Sequence, residues 1–252
     1  MQVLVVIPTY NESENIERVL HKVRGALPEA TVLVVDDGSP DGTADMAEKL
    51  AGQIGNIEVL RRSEKAGLGS AYRAGFRWGL DRGYEACVEM DADLSHDPDA
   101  LPGLVAPLET GGVELVIGSR YVPGGSIPKW AWHRRLVSRG GNVYASVLLG
   151  FGITDSTSGF RAYAASVLGR IALDQIRAEG YGFQIEMTYQ AKRAGASIVE
   201  VPIRFVDRTE GESKMSMYIV VEAFALVTWW GIQRILRIGE GKHQVGQVVV
   251  HE

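Results

Sequence analysis

Several functional classes are excluded by what this sequence lacks. It holds one cysteine, Cys87, inside an apolar stretch. No intramolecular disulfide can form, and the residue suits a reducing compartment or a core position. Among the histidines, His21, His133, His243 and His251 stand at no metal-binding spacing, and only His96 lies beside a carboxylate pair that it could join. Basic residues are outnumbered, 26 Lys and Arg against 31 Asp and Glu, for a net charge of -5. That balance disfavours a nucleic-acid binder, which needs a basic footprint. No stretch reaches the roughly 20 clean apolar residues of a membrane-spanning helix. Pro8 ends the first apolar run too early for a secretory leader, so the chain is expected to stay on the cytoplasmic side. Internal repeats and low-complexity runs are missing. So is a G-x-S-x-G elbow, which removes the main signature of nucleophilic hydrolysis. Gly67-Leu68-Gly69 has Tyr72 where a dinucleotide fingerprint needs a third small residue, and the first strand leads into Pro8-Thr9-Tyr10 instead. A dehydrogenase is excluded on both counts.

The 252 residues are 46% hydrophobic and 23% charged, the balance of one large globular domain or a domain with an appendage. Continuous apolar runs at Val3 to Ile7, Thr31 to Val35, Ile57 to Leu60, Tyr84 to Met90 and Val113 to Ile117 read as buried strands. Helical stripes separate them: Ile16, Val19, Leu20 and Val23; Thr43 to Leu50; Tyr72, Phe76 and Leu80; and a helix begun at Pro98. Asn11 with Glu14 fits a capping box for the first of these. The alternation predicts an α/β fold with a mostly parallel twisted sheet flanked by helices. After Arg120 the rhythm breaks into a Gly/Pro/Trp-rich loop from Val122 to Trp132 and a helix over Arg134 to Leu149. Asp155 to Tyr163 and Ile198 to Phe205 read as further strands around a helix from Gln184 to Ala194. The polar, glycine-interrupted segment Arg208 to Lys214 is expected to be a loop able to close over an anion.

Tyr218 to Leu236 is almost wholly apolar, with Phe224, Trp229 and Trp230. Its few polar residues fall within about one third of the helical circle, leaving a broad greasy face suited to a membrane interface. The competing reading packs that face on the sheet or on a second copy.

Val88-Glu89-Met90-Asp91-Ala92-Asp93-Leu94-Ser95-His96 is the most informative stretch. It places two carboxylates one residue apart at the carboxyl end of a buried strand, where open α/β sheets bind ligands. If strand alternation persists, Asp91 and Asp93 point the same way. Like charges this close need a cation or a donor cluster, and Mg²⁺ or Mn²⁺ carrying a diphosphate supplies one. The bland reading is a solvated turn with capping aspartates. Asp37, at the end of the second strand, either contacts a nucleoside or merely belongs to a Gly/Pro turn. Arg120, Lys129, Arg134, Arg135, Arg139, Arg208 and Lys214 form a late cationic set whose guanidinium members suit phosphate oxygens.

Pro8-x-Tyr10-Asn11-Glu12, Val35-Asp36-Asp37-Gly38-Ser39, Glu89-Met90-Asp91-Ala92-Asp93, Gly118-Ser119-Arg120-Tyr121 and Val206-Asp207-Arg208 through Glu212-Ser213-Lys214 occur in that order. Together they resemble the inverting A-type glycosyltransferases of family two, most closely the polyprenol (dolichol) monophosphate mannose synthases. The resemblance spans roughly residues 1–215. It implies a catalytic domain over 1–215, an interfacial helix over 216–238 and a flexible tail over 239–252. It also implies that Pro8, Tyr10, Glu12, Val35 and Asp37 surround the guanosine of GDP-mannose, and that Asp91 and Ala92 hold the ribose and diphosphate. Asp93 would ligate a divalent metal, Mg²⁺ or Mn²⁺, with Ser95 reaching it directly or through water where the family often has Gln. Arg120, Arg139, Arg208 and Lys214 would hold the phosphates of donor and acceptor. The implied acceptor is a polyprenyl phosphate, met by a peripheral protein on the cytoplasmic face of a membrane, with or without a separate membrane-protein anchor. Two alternatives stay open at this point: a UDP-sugar-dependent polyprenyl or polysaccharide transferase, and a non-catalytic nucleotide-binding subunit held at the membrane by the last helix.

Overall fold

The computed structural model describes residues 1–206 and 217–236. Seven strands and eight α-helices follow one another in the described chain. They are β1 (Val3–Thr9), α1 (Ile16–Ala26), β2 (Thr31–Asp36), α2 (Thr43–Ile54), β3 (Ile57–Arg61), α3 (Leu68–Asp81) and β4 (Ala86–Glu89). Then come α4 (Leu101–Glu109), β5 (Leu115–Ser119), α5 (Trp132–Leu149), β6 (Arg161–Ala164), α6 (Ala165–Arg170), α7 (Gly180–Arg193), β7 (Ile198–Pro202) and α8 (Met217–Ile235). One sheet has the order β3-β2-β1-β4-β6-β5-β7. All pairings are parallel except those of β6, which runs antiparallel to both β4 and β5.

The exception decides the function. Parallel strands send their carboxyl ends to one edge, so Tyr10, Asp37, Asp91 and Arg120 gather there. Because β6 runs the other way, the loop that precedes it reaches the same edge from the opposite direction. The expected strand over Asp155 to Tyr163 is therefore real only from Arg161. Residues 155–160 form the loop, pinned by the fully buried Arg161. Its guanidinium donates to the carbonyls of Ser156 (2.6 Å), Ser158 (2.6 Å) and Gln184 (2.8 Å).

Alternation sorts the strand side chains between two apolar layers. Val3, Val5 and Ile7 face the layer built with α1, α2 and α4. Leu4 and Val6 face Tyr72 and Phe76 of α3. That contact is close because α3 presents glycines to β1. A Cβ on Gly75 would overlap Val6 Cγ1, and one on Gly79 would stand 2.8 Å from Leu4 Cδ2. One local expectation fails. Asn11 does not cap α1; it takes a left-handed φ of 59° in the turn after β1, and the helix starts at Ile16, five residues beyond it, with Asn15 at the cap position but making no side-chain cap hydrogen bond. Helix α8 packs on α5 and α7 and buries Ala223, Val227 and Trp230. No helix among the described residues is long and apolar enough to cross a membrane. Residues 207–216, with Arg208, Lys214 and the expected loop, and residues 237–252, with the expected tail, lie outside the described residues.

Gly75→Ala tests the α3–β1 contact. In an open helix the change gains about 1 kcal/mol of propensity; here overpacking should outweigh it and destabilise the protein by about 1–3 kcal/mol. Denaturant melts measure the difference, and a stabilised variant would contradict the packing described.

Candidate active site

The carboxyl edge of the sheet encloses a polar cleft of about 670 Å³, a volume in the range of small-molecule sites. Strand β4 stops at Glu89, and the chain turns through Leu94 at a φ of 57°. Asp91 and Asp93 are thus held by a turn rather than by strand alternation. Asp93 accepts the backbone N–H of Ser95 at 2.9 Å. Asp91 accepts the hydroxyl of Tyr72 at 3.0 Å. Tyr72 sits fully buried beside these carboxylates, and burial pushes its hydroxyl well above the usual range, so it stays a donor.

Pro8, Tyr10, Glu12, Asp37, Ala92 and Ser95 also line the cleft. Val35 does not: it is fully buried, its side chain on the face of β2 that packs on α3. Asp36 is structural, accepting from Thr9 Oγ1 (2.9 Å) and from Ser39 N (2.9 Å) and Oγ (2.6 Å). Asp37 accepts the N–H of Ala66 at 3.2 Å. Arg62 Nη1 stands 2.9 Å from Asp37 Oδ1 but is too poorly aligned for a hydrogen bond, so this is an ion pair only. Burial raises the Asp37 carboxyl above its ordinary value in spite of that neighbour. Lys65 lies over the Tyr10 ring, 4.2 Å from its centroid. Glu179 on the far wall accepts Gly69 N at 2.7 Å and so ties the start of α7 to the start of α3. No local motif marks it, because the partner is 110 residues away.

The cationic end is more selective than the sequence implies. Arg120 is buried and bidentate to Asp155, Nε to Oδ2 at 2.7 Å and Nη2 to Oδ1 at 2.6 Å. Arg134 lines the cleft and lies 3.9 Å from the Trp130 ring centroid. Arg139 does neither. It is exposed beside Tyr121, because five residues along α5 rotate a side chain about 140° away from Arg134. His96 lines the cleft but does not act as a cation. Its ring packs between Phe160 (4.9 Å) and Phe205 (5.3 Å), and burial lowers its pKa to about 4. No group of three or more His, Cys, Asp or Glu side chains converges to hold a metal among the described residues. A cation held by Asp91 and Asp93, with Ser95 beside them, would complete its shell from water and diphosphate oxygens. That is the usual habit of Mg²⁺ and is consistent with hard oxygen donors.

A second, apolar groove of about 120 Å³ adjoins the cleft and shares Arg120, Trp130, Arg134, Thr157 and Tyr181 with it. Its other walls are Val137 and Tyr144 of α5, Ile185 of α7, and Phe224 and Val227 of α8. Outside the groove both helices expose apolar side chains: Trp132 (76%), Leu136, Val143 and Val147 (72%) on α5, and Trp229, Ile232 and Ile235 on α8. The α5 stripe was legible as spacings of four and seven residues.

Comparison with known proteins assigns this arrangement. A family model described as glycosyl transferase family 2 matches residues 4–172, which contain β1 through β6, both carboxylates and Arg120. The chain belongs to this family. It is 53% identical to an undecaprenyl-phosphate mannosyltransferase of Micrococcus luteus, over 92% of this chain and 95% of that one. It is 50% identical to a polyprenol monophosphomannose synthase of Mycolicibacterium smegmatis, over 91% and 87%. Among solved structures, glucosyl-3-phosphoglycerate synthase of Mycobacterium tuberculosis in complex with phosphoglyceric acid superposes with a TM-score of 0.67 at 23% identity, covering 91% of this chain and 79% of that one. The same enzyme with Mn²⁺, UDP-glucose and phosphoglyceric acid gives the same score and coverage. At that identity the likeness establishes the fold, an A-type glycosyltransferase sheet.

Beneath the carboxylate pair of this family 2 glycosyltransferase lies Glu89, fully buried and opposite Arg161 in the β4–β6 register. Burial outweighs the attraction of Arg161 and raises its pKa from 4.5 to about 7. The folded protein therefore keeps a proton that the unfolded chain has lost, and this group's contribution to stability falls as pH rises through that window. Glu89→Gln should flatten the fall in Tm between about pH 4.5 and 7. Identical slopes for the two proteins contradict the assignment.

Proposed function

We propose that this glycosyltransferase moves mannose from GDP-mannose to the phosphate of a polyprenyl phosphate, inverting the anomeric carbon and releasing GDP. One observation carries the reading: Arg120 and Arg134 stand in the wall shared by a polar cleft and an apolar groove. A substrate with an anionic head and a hydrocarbon tail fits that junction, and a wholly soluble acceptor leaves the groove unused. The names of the two relatives at 50–53% identity agree with mannose and a polyprenyl phosphate. Guanosine rests on the motif resemblance.

The acceptor phosphate is already an anion near neutral pH, so the enzyme needs no strong base. A phosphate oxygen forms the bond to the anomeric carbon as the bond to the diphosphate breaks on the opposite face, and GDP departs with the electron pair. Tyr10, Glu12 and Asp37 line the nucleoside end of the cleft, and Asp91 and Asp93 the diphosphate end. Asp93, with Ser95 and Asp91 beside it, would hold a divalent cation, which would supply positive charge to offset the leaving diphosphate. Tyr72 holds Asp91 in place through its hydroxyl. Arg120 and Arg134 direct the incoming phosphate, and alignment of this kind accounts for much of the rate of such a step. Arg208 and Lys214, beyond the described residues, are assigned to the same phosphates by the motif resemblance. The exposed apolar faces of α5 and α8 lie in the membrane surface from which the acceptor is drawn, which makes the protein peripheral, on the cytoplasmic face.

The test mixes purified protein with a polyprenyl phosphate and labelled GDP-mannose, UDP-glucose or UDP-N-acetylglucosamine, with and without Mg²⁺ or Mn²⁺. Label should enter the lipid phase from GDP-mannose only, and only with metal. Asp93→Asn should lower that rate by about 10²-fold or more while its melting curve is kept. Transfer from a UDP-sugar, or full activity of Asp93→Asn, overturns the proposal.

A further inference from the structure

We infer that Asp155 is a positioning residue for the transfer reaction, acting through Arg120 and without touching either substrate. The inference rests on the proposed acceptor site, because its target is the guanidinium at the junction of cleft and groove. Asp155 is fully buried, and Arg120 is 6% exposed. Three bonds join them: Arg120 N to Oδ2 at 2.9 Å, Nε to Oδ2 at 2.7 Å and Nη2 to Oδ1 at 2.6 Å. Thr157 Oγ1 accepts from Nη2 at 2.8 Å and so closes the same edge of the guanidinium. Arg120 nonetheless lines both cavities. The carboxylate therefore commits one edge of the fork and fixes the direction of the other.

The carboxylate is itself held from outside the site. Glu200 on β7 accepts the N–H of Asp155 at 2.9 Å and that of Thr154 at 2.8 Å. Asn142 on α5 donates to Thr157 Oγ1 at 3.2 Å and accepts from Ser156 Oγ at 3.0 Å. Two elements thus fix the loop, and the loop fixes Arg120. A long, flexible arginine would otherwise sample many rotamers, each aiming its N–H groups at a different point. The pair is also close to neutral overall, so Arg120 offers directed N–H groups with little net charge. Directed donors favour one pose of the acceptor phosphate over general attraction of anions, including the phosphodiester product.

Asp155→Asn keeps the shape but turns an amide N–H toward a guanidinium N–H. The kcat for transfer to polyprenyl phosphate should fall by about 10²-fold, the scale of a misplaced aligning group. The affinity for GDP-mannose, read by titration calorimetry in the absence of acceptor, should not change, because the donor end of the cleft is untouched. Thr157→Val removes the outer contact to Nη2 together with the hydroxyl's bonds to Asn142 and Asp155, leaves the Arg120–Asp155 pair in place and should give the same pattern more mildly. It serves as the test if Asp155→Asn fails to fold by its melting curve. Wild-type kcat in the folded variant overturns the inference, and so does loss of donor affinity in step with activity, which marks general collapse of the site. The wild-type protein separates the two claims: no sugar transferred to polyprenyl phosphate fails the acceptor reading, whereas wild-type transfer with undiminished Asp155→Asn fails this inference alone.

Discussion

A guanidinium buried beside a carboxylate is stable only when its hydrogen bonds are met, and the Arg120–Asp155 pair meets that demand through the topology of the sheet. Arg120 follows the carboxyl end of β5, and Asp155 belongs to the loop that enters β6. Had β6 run parallel to its neighbours, that loop would lie at the opposite edge and Arg120 would have no buried partner. The antiparallel strand is thus required by electrostatics as much as by packing. Arg161, at its first position, repeats the logic one layer deeper by pinning the loop through two of its carbonyl oxygens and tying it to a third on α7.

From that pair the molecule divides into a wet half and a dry half. The polar cleft extends over the carboxyl ends of β1, β2 and β4, where the strand order switches direction, the usual place for a ligand in an open α/β sheet. The apolar groove extends the other way between α5 and α8. Helix α5 serves both halves: Asn142 turns inward to the Asp155 loop, while Val143 and Val147 turn outward. Asn142 of α5 is thus joined to Arg120 through Thr157 by two side-chain hydrogen bonds. The neutral His96, stacked on Phe160 and edge-on to Phe205, keeps a further charge out of this crowded edge.

Much of this was legible in the sequence because its signals are local. Continuous apolar runs marked the buried strands, and turn residues after them marked the edge where Tyr10, Asp37 and Asp91 gather. What was hidden depends on contacts distant in sequence. Nothing near Asp155 announces that it pairs with a residue 35 positions earlier, and its alternating neighbours read as strand. Tyr72 reads as helix core until its hydroxyl is seen on Asp91. Val35 belongs to a nucleotide-site motif by resemblance, yet alternation sends its side chain to the core. Arg134 and Arg139 are equivalent in composition, and only the rotation of α5 separates the one at the junction from the one in solvent. The apolar stripe on α5 was present at helical spacing but diluted by the arginines between its members.

The most direct measurement of the account is photo-crosslinking with a polyprenyl phosphate bearing a photoreactive group on the isoprene unit next to the phosphate. If head and tail meet at Arg120, adducts should map to residues 137–144 of α5 and 223–227 of α8, and excess unlabelled polyprenyl phosphate should suppress them. Adducts confined to the α1–α2 side of the sheet, or labelling that unlabelled lipid does not compete away, would contradict the junction on which the account rests.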